Sequence, residues 1–197
     1  MASSTPPVPL QNPAFNWGEL PPRYPVTSMI LLPQETPLDI PRIQHNLERK
    51  ETPEKKRVCE ERLEAVRKTF AHTWEGYRQH AWLKDELSPI SGGYKNPFGG
   101  WAATLVDSLD TLWIMGFQDE FEEAASTAVA LIDFSTSTQE TISVFETTIR
   151  YLGGLLSAYD LSGYRILLEK AVELGEMLYV AFDTPNRMPM TSFGWEA

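Results

Sequence analysis

A chain of 197 residues, 42% hydrophobic and 22% charged, carries apolar mass for one globular domain and part of another. Its formal net charge of −10 is unevenly spread, with nine acids and a single base, Arg150, in residues 101–150. That acidic centre argues against a nucleic-acid partner, because phosphate binding needs clustered Lys and Arg, and leaves a cation, a neutral polar ligand such as a sugar, or a plain solvated face.

The start, MASSTPPVPL, has neither the basic nor the apolar region of a signal peptide. No run approaches the roughly 18 apolar residues of a spanning helix. Eleven of the 15 prolines lie in residues 1–53, with one glycine, Gly18. Each proline removes a donor and restricts its predecessor, so residues 1–52 read as an extended Pro-rich stem. The apolar residues in it, Phe15, Trp17, Tyr24, Met29, Ile30, Leu31 and Leu32, predict that parts lie against something.

From Thr52 the pattern turns helical. Thr52-Pro53-Glu54 reads as N-cap, first-turn proline and first-turn acid. A stripe of Val58, Leu63, Val66, Phe70, Trp74, Tyr77 and Ala81 predicts a helix to about residue 86. SGGYKNPFGG, residues 91–100, reads as a loop. Trp101, Leu105, Leu109 and Trp113 mark a second helix that Gly116 stops. Asp119 with Glu122 resembles a capping box for a third helix, which runs to about Ile132 along Phe121, Ala125, Ala128 and Leu131. Ile142 and Val144 alternate with Ser143 and Phe145 as a short strand would. Ile149, Leu152, Leu156 and Tyr159 make a fourth helix, and Leu167, Ala171, Leu174, Leu178 and Ala181 a fifth that ends before Pro185.

Spacing alone supplies no function. There is no zinc-type spacing, phosphate loop or Gly-x-Ser-x-Gly elbow. Cys59 is the sole cysteine, so no internal disulfide forms. His45, His72 and His80 do not cluster in sequence, and His72 reads as a surface or core-edge residue. Trp74, Trp82, Trp101 and Trp113 read as core aromatics, with sugar stacking as the alternative. Gly153 and Gly154, about 1 kcal/mol each below alanine in a helix, predict a close helix crossing or room for a ligand. Glu146 and Arg150 share a helical face, either as an exposed pair or as two side chains of one pocket.

Three blocks in order bear on the last of these alternatives. GGWAATLVDSLDTLWIMGFQDEFEEA (99–124), SVFETTIRYLGGLLSAYDLSG (143–163) and LLEKAVELGEMLYVAFDTPNRMP (167–189) resemble the N-terminal part of the catalytic domain of class I α-1,2-mannosidases, glycoside hydrolase family 47. WEGYRQHAWLKDELSPISG (74–92) fits the same family, as does the stem stretch LPPRYPV (20–26). The resemblance implies an all-α fold, an (αα)7 barrel of which residues 53–197 supply only the first helical hairpins. It implies removal of terminal α-1,2-linked mannose from high-mannose N-glycans, with inversion and with Ca2+. Glu146 matches the glutamate taken as the general acid, and Arg150 an arginine of the sugar-binding site. Asp107 and Asp110 belong to the family pattern and read as structural, capping or bonding to backbone.

The resemblance also places the remaining catalytic acids and the calcium-binding threonine beyond Ala197. The chain is therefore expected to be a truncated, inactive part with no metal ligand of its own. Its expected setting is the lumen of the ER or Golgi, where the family is membrane-anchored, although no anchor is visible here. Its expected partner is a high-mannose N-glycan or glycoprotein. The alternative is a non-catalytic, mannosidase-like glycan-binding module in glycoprotein quality control. One tension accompanies the catalytic reading: a neighbouring guanidinium favours a charged carboxylate, whereas an acid catalyst must hold a proton.

Overall fold

The computed structural model describes residues 15–31, 33–36, 38, 39, 41, 43 and 51–194. Much of the predicted stem, Leu32 and His45 included, lies outside the described residues. The first described element is a short 3-10 turn, Trp17–Glu19, capped by the Asn16 side chain.

Helix α1 spans Pro53–His80 and starts as its sequence requires, with the Thr52 hydroxyl accepting from Lys55 N at 3.4 Å. It stops at His80, short of residue 86. Trp82 folds back onto Trp74 and Tyr77, at ring separations of 5.9 and 6.1 Å, and Leu83 takes a left-handed φ of 61°. Only the last turns of α1 are buried, through Trp74 and Tyr77, while Leu63 and Val66 of the predicted stripe are exposed.

The expected loop after α1 contains a hairpin. Strand β1 (Glu86–Ser88) pairs antiparallel with β2 (Gly93–Lys95), with Leu87 opposite Tyr94. Gly92 closes the turn at φ 72°, a backbone conformation glycine adopts without a Cβ clash. Helix α2 (Ala103–Met115) ends at Gly116 in the left-handed conformation, as expected. Trp101 precedes this helix and is buried beside it.

Helix α3 (Gln118–Glu123), a π turn (Ala124–Ala128) and α4 (Val129–Leu131) form one helical run. The predicted capping box is absent, because Phe117 occupies the N-cap and no side chain caps the helix. Asp119 instead sits in the first turn, where a negative charge complements the helix dipole. Leu131 is exposed, and Val129, Ala130 and Ile132 take the core positions.

The strand signal at Ile142 is real. Strand β3 (Thr141–Ser143) pairs with β4 (Ser192–Gly194), placing buried Ile142 opposite buried Phe193. Helix α5 (Val144–Glu146), a π turn (Thr147–Leu152) and α6 (Gly153–Ser162) continue as one rod. Its core face is Thr147, Tyr151, Leu155 and Ala158, one position round from the predicted stripe, and Ile149 and Leu156 are exposed. The small residues explain the offset, since α6 turns Gly154 against Val106 of α2. Helix α7 (Arg165–Tyr179), followed by a 3-10 turn (Val180–Phe182), buries all five predicted apolar residues.

The result is a mainly helical unit built on α2, α6 and α7, with two two-stranded sheets that an all-α reading lacked. Trp74 and Trp101 are buried and Trp82 and Trp113 pack against the core, so all four tryptophans serve packing. His72 and His80 are exposed on α1.

The paired glycines separate cleanly. A Cβ at Gly154 would come within 2.9 Å of the Val106 carbonyl oxygen, whereas one at Gly153 would meet nothing closer than 3.7 Å. Gly154→Ala is expected to destabilise by about 1–2 kcal/mol, overpacking outweighing the gain in helix propensity. Gly153→Ala, at helical φ −60°, is expected to stabilise by about 0.5–1 kcal/mol. Urea denaturation of the two variants measures both signs.

Candidate active site

Glu146 stands where a strand becomes a helix. Val144 N donates to Thr191 O at 3.0 Å, so β4 holds the end of β3. Ser143 is extended (φ −74°, ψ 115°), and its hydroxyl accepts from Glu146 N at 3.3 Å, capping the new helix. The π turn follows at once. Such turns are rare and recur at functional sites.

Arg150 rises from that turn, and both predicted site residues come together there. Its Nε donates to Glu146 Oε2 at 2.7 Å, and its Nη1 donates to Asp107 Oδ2 on α2 at 2.9 Å. Its guanidinium lies 4.5 Å from the centre of the Phe98 ring. The three charged side chains are each about one-third exposed (33–35%), so the cluster is neither a solvated surface pair nor a sealed core network. The Glu146 and Asp107 carboxylates raise the Arg150 guanidinium further above its ordinary range. Burial pushes Asp107 above the usual aspartate range. Arg150 opposes that rise, and Asp110 and Glu146 add to it.

Asp107 and Asp110 depart from the expectation that they cap or bond to backbone. Asp107 binds Arg150, and Asp110 Oδ2 accepts from the Ser157 hydroxyl at 2.9 Å, joining α2 to α6. Both aspartates reach from α2 to side chains of the facing rod, Asp107 to Arg150 in its π turn and Asp110 to Ser157 in α6.

Two residues of the site were not foreseen. Phe98 supplies the aromatic face for Arg150. Asp85, fully buried, accepts from Phe98 N at 2.8 Å, Gly100 N at 2.9 Å and Ala103 N at 3.2 Å, and the Tyr151 hydroxyl is shared between Phe98 O at 2.9 Å and the Asp85 carboxylate at 3.3 Å. Burial, and then the Asp85 carboxylate, push the Tyr151 hydroxyl far above the ordinary phenol range, so it stays a donor. The available signal was an acid between aromatic Trp82 and the Gly-Gly loop, a place with many free backbone N–H groups.

Chemically, the cluster offers two carboxylates and the cation between them to a polar ligand from a partly open face. Among the described residues, no three His, Cys, Asp or Glu side chains converge to hold a metal ion. A cavity of about 490 Å³ is lined by Arg23, Tyr24, Thr27, Ser28, Arg187 and neighbouring residues, and Glu146, Arg150 and Asp107 take no part in it.

Comparison with known proteins converges on one group. The description "Glycosyl hydrolase family 47" matches residues 69–197. The chain is 45% identical over 132 residues to the Arabidopsis thaliana mannosyl-oligosaccharide 1,2-alpha-mannosidase MNS1, covering 67% of this chain and 23% of that protein. It is 45% identical over 129 residues to the Rattus norvegicus endoplasmic reticulum mannosyl-oligosaccharide 1,2-alpha-mannosidase, covering 66% of this chain and 19% of that protein. An alpha-1,2-mannosidase structure from Trichoderma reesei superposes with a TM-score of 0.65 at 36% identity, over 68% of this chain and 30% of that one. The chain thus spans only about a fifth of the length of these curated relatives.

The electrostatics yield a titration test. Asp107 has its folded value raised, so its contribution to stability is full below the ordinary aspartate range and is lost as pH rises through the raised value. In a carbon-13 NMR titration, the Asp107 carboxyl is expected to titrate above the ordinary aspartate range. Arg150→Met is expected to move that midpoint further up, because the guanidinium holds it down. A midpoint that falls in this variant contradicts the assignment.

Proposed function

The chain belongs to glycosyl hydrolase family 47, and from that membership we propose that it is part of a glycosidase that removes terminal α-1,2-linked mannose from high-mannose N-glycans. The observation that carries the proposal is the arginine shared between Glu146 and Asp107 on a partly open face. Glu146 is read as the general acid, giving its proton to the glycosidic oxygen directly or through a water. Arg150 is read as the sugar-binding cation. A sugar hydroxyl that takes one of its N–H groups loosens the guanidinium from Glu146, and Asp107 and Phe98 keep Arg150 in place meanwhile.

Inversion is part of the proposal and requires a second carboxylate, about 6.5–9.5 Å away, that acts on a water. None is assigned within this chain, which on this reading supplies the first hairpins of a helical barrel with the residues before them as a stem. Calcium, on the same reading, is a cofactor of the whole family protein, held by residues outside this chain. The proposed setting is the lumen of the ER or Golgi, in keeping with the name of the rat relative. No helix among the described residues is long and apolar enough to cross a membrane.

A second reading is a non-catalytic glycan-binding module. It rests on the same Arg150 and needs no second acid.

Incubation of a completed protein, one that contains this chain together with the remaining catalytic acids, with a high-mannose N-glycan separates the two readings through free mannose. On the enzymatic reading, Glu146→Gln is expected to lower kcat by about 10²–10⁴-fold with little change in KM. Arg150→Ala is expected to raise KM at least as clearly as it lowers kcat. Glycan binding with no mannose released selects the second reading. Release that survives Glu146→Gln within about threefold removes Glu146 from the acid role.

A further inference from the structure

Residues 15–28 precede the stretch that matches the family, yet they grip it at two places. Trp17 Nε1 donates to Phe134 O at 3.0 Å, and its ring meets Phe193 of β4 edge-on at 6.4 Å. Phe15 backs that ring at 5.1 Å. Gly18 lies so close to Glu176 of α7 that a Cβ there would stand 3.1 Å from the carboxylate. Further along, Arg23 N and Tyr24 N both donate to the Asp183 carboxylate, at 2.5 and 2.8 Å, and the Arg187 guanidinium donates to Tyr24 O.

These two grips bracket residues 183–194. One holds the loop that leaves the 3-10 turn after α7, and the other holds Phe193 in β4. The bracketed segment is what positions Glu146, because β4 pairs with β3, Thr191 O accepts from Val144 N, and Ser143 of β3 caps Glu146. A three-residue strand pair is weak in isolation, so its register depends on what clamps it. Arg187, inside the segment, takes a left-handed φ of 60°, which a non-glycine residue keeps only where its surroundings hold it.

We infer that residues 15–28 are a positioning strap for the candidate site, with Trp17 and Asp183 as its two anchors, acting through Phe193 and the β3–β4 pair on Glu146. The inference rests on Glu146 as the functional carboxylate. Neither anchor touches substrate in this account. The strap sets where the carboxylate stands, and the lead segment thereby becomes part of the site.

Amide hydrogen exchange on the full 197-residue chain tests this, with the Arg150 Nε–H resonance as a reporter of the Glu146 bond. Trp17→Ala is expected to speed exchange at residues 141–146 and 191–194 by about tenfold or more, leaving the interiors of α2 and α6 protected. The Arg150 Nε–H signal is expected to shift or broaden in the same variant. Trp17→Phe keeps a ring on Phe193 and is expected to recover most of the protection. Asp183→Asn, which keeps the shape and weakens the acceptor, is expected to give the same local pattern more mildly.

Faster exchange confined to residues 15–31 overturns the inference, as does a rise spread evenly over α2 and α6, which marks Trp17 as general packing. None of these readouts requires turnover. The strap therefore stands or falls separately from the acid role of Glu146, which mannose release decides.

Discussion

The Asp85 carboxylate takes N–H groups from Phe98, Gly100 and Ala103 and shares the hydroxyl of Tyr151 with Phe98 O, and the backbone carbonyl of Asp85 takes both the N–H and the hydroxyl of Thr104. One buried residue thus fixes three pieces of chain: the loop after β2, the start of α2 and the π turn that carries Arg150. Ala102, at the head of α2, sits at φ 59°, a conformation that costs a non-glycine residue about 1–3 kcal/mol. The Asp85 bonds to its neighbours offset that strain. Were the carboxylate removed, several buried donors would lose their acceptor, at about 1–3 kcal/mol each. This network also places Phe98, whose ring holds Arg150, and Arg150 holds Glu146. The site inherits its geometry from a residue that has no contact with Arg150 or Glu146 among these bonds.

Glu146 is approached from two sides that share no chain. Asp85, through Phe98 and Tyr151, fixes the helix side. The β3–β4 pair, with Ser143 as cap, fixes the strand side. The π turn between them adds a residue to the helical ring, which lets Tyr151 point into the core toward Asp85 while Arg150, its neighbour, faces outward between two carboxylates. The close approach of α6 to α2 at Gly154 brings Asp107 within reach of that guanidinium. A larger residue at position 154 would spread the two helices and lengthen the Asp107–Arg150 bridge.

Much of this was readable because its causes are local. Thr52-Pro53-Glu54 starts α1, Gly116 ends α2, and the apolar spacing of α7 put all five of its predicted residues in the core. Glu146 and Arg150 four residues apart on a helix predicted their own contact. What escaped depends on residues far apart in sequence. Asp85 reads as one more charged residue until Phe98, Gly100, Ala103 and Tyr151 are folded around it. The face of α6 was misjudged by one position, because periodicity carries no sign of a π turn and side-chain hydrophobicity none of a backbone approach at glycine. The docking of Trp17 on Phe134 and Phe193 spans more than a hundred residues, and a proline-rich composition describes how such a segment is extended, not what it rests on.

The central claim is that Glu146, Arg150 and Asp107 form one site that meets a mannoside. Titration of the chain with α-1,2-mannobiose, followed by the Arg150 Nε–H and Phe98 ring resonances, tests it most directly. The account predicts saturable shifts at both resonances that vanish in Arg150→Lys, because the planar fork that bridges two carboxylates cannot be rebuilt by an ammonium. Shifts confined to the cavity lined by Arg23, Tyr24 and Arg187, with Arg150 and Phe98 unmoved, would contradict it.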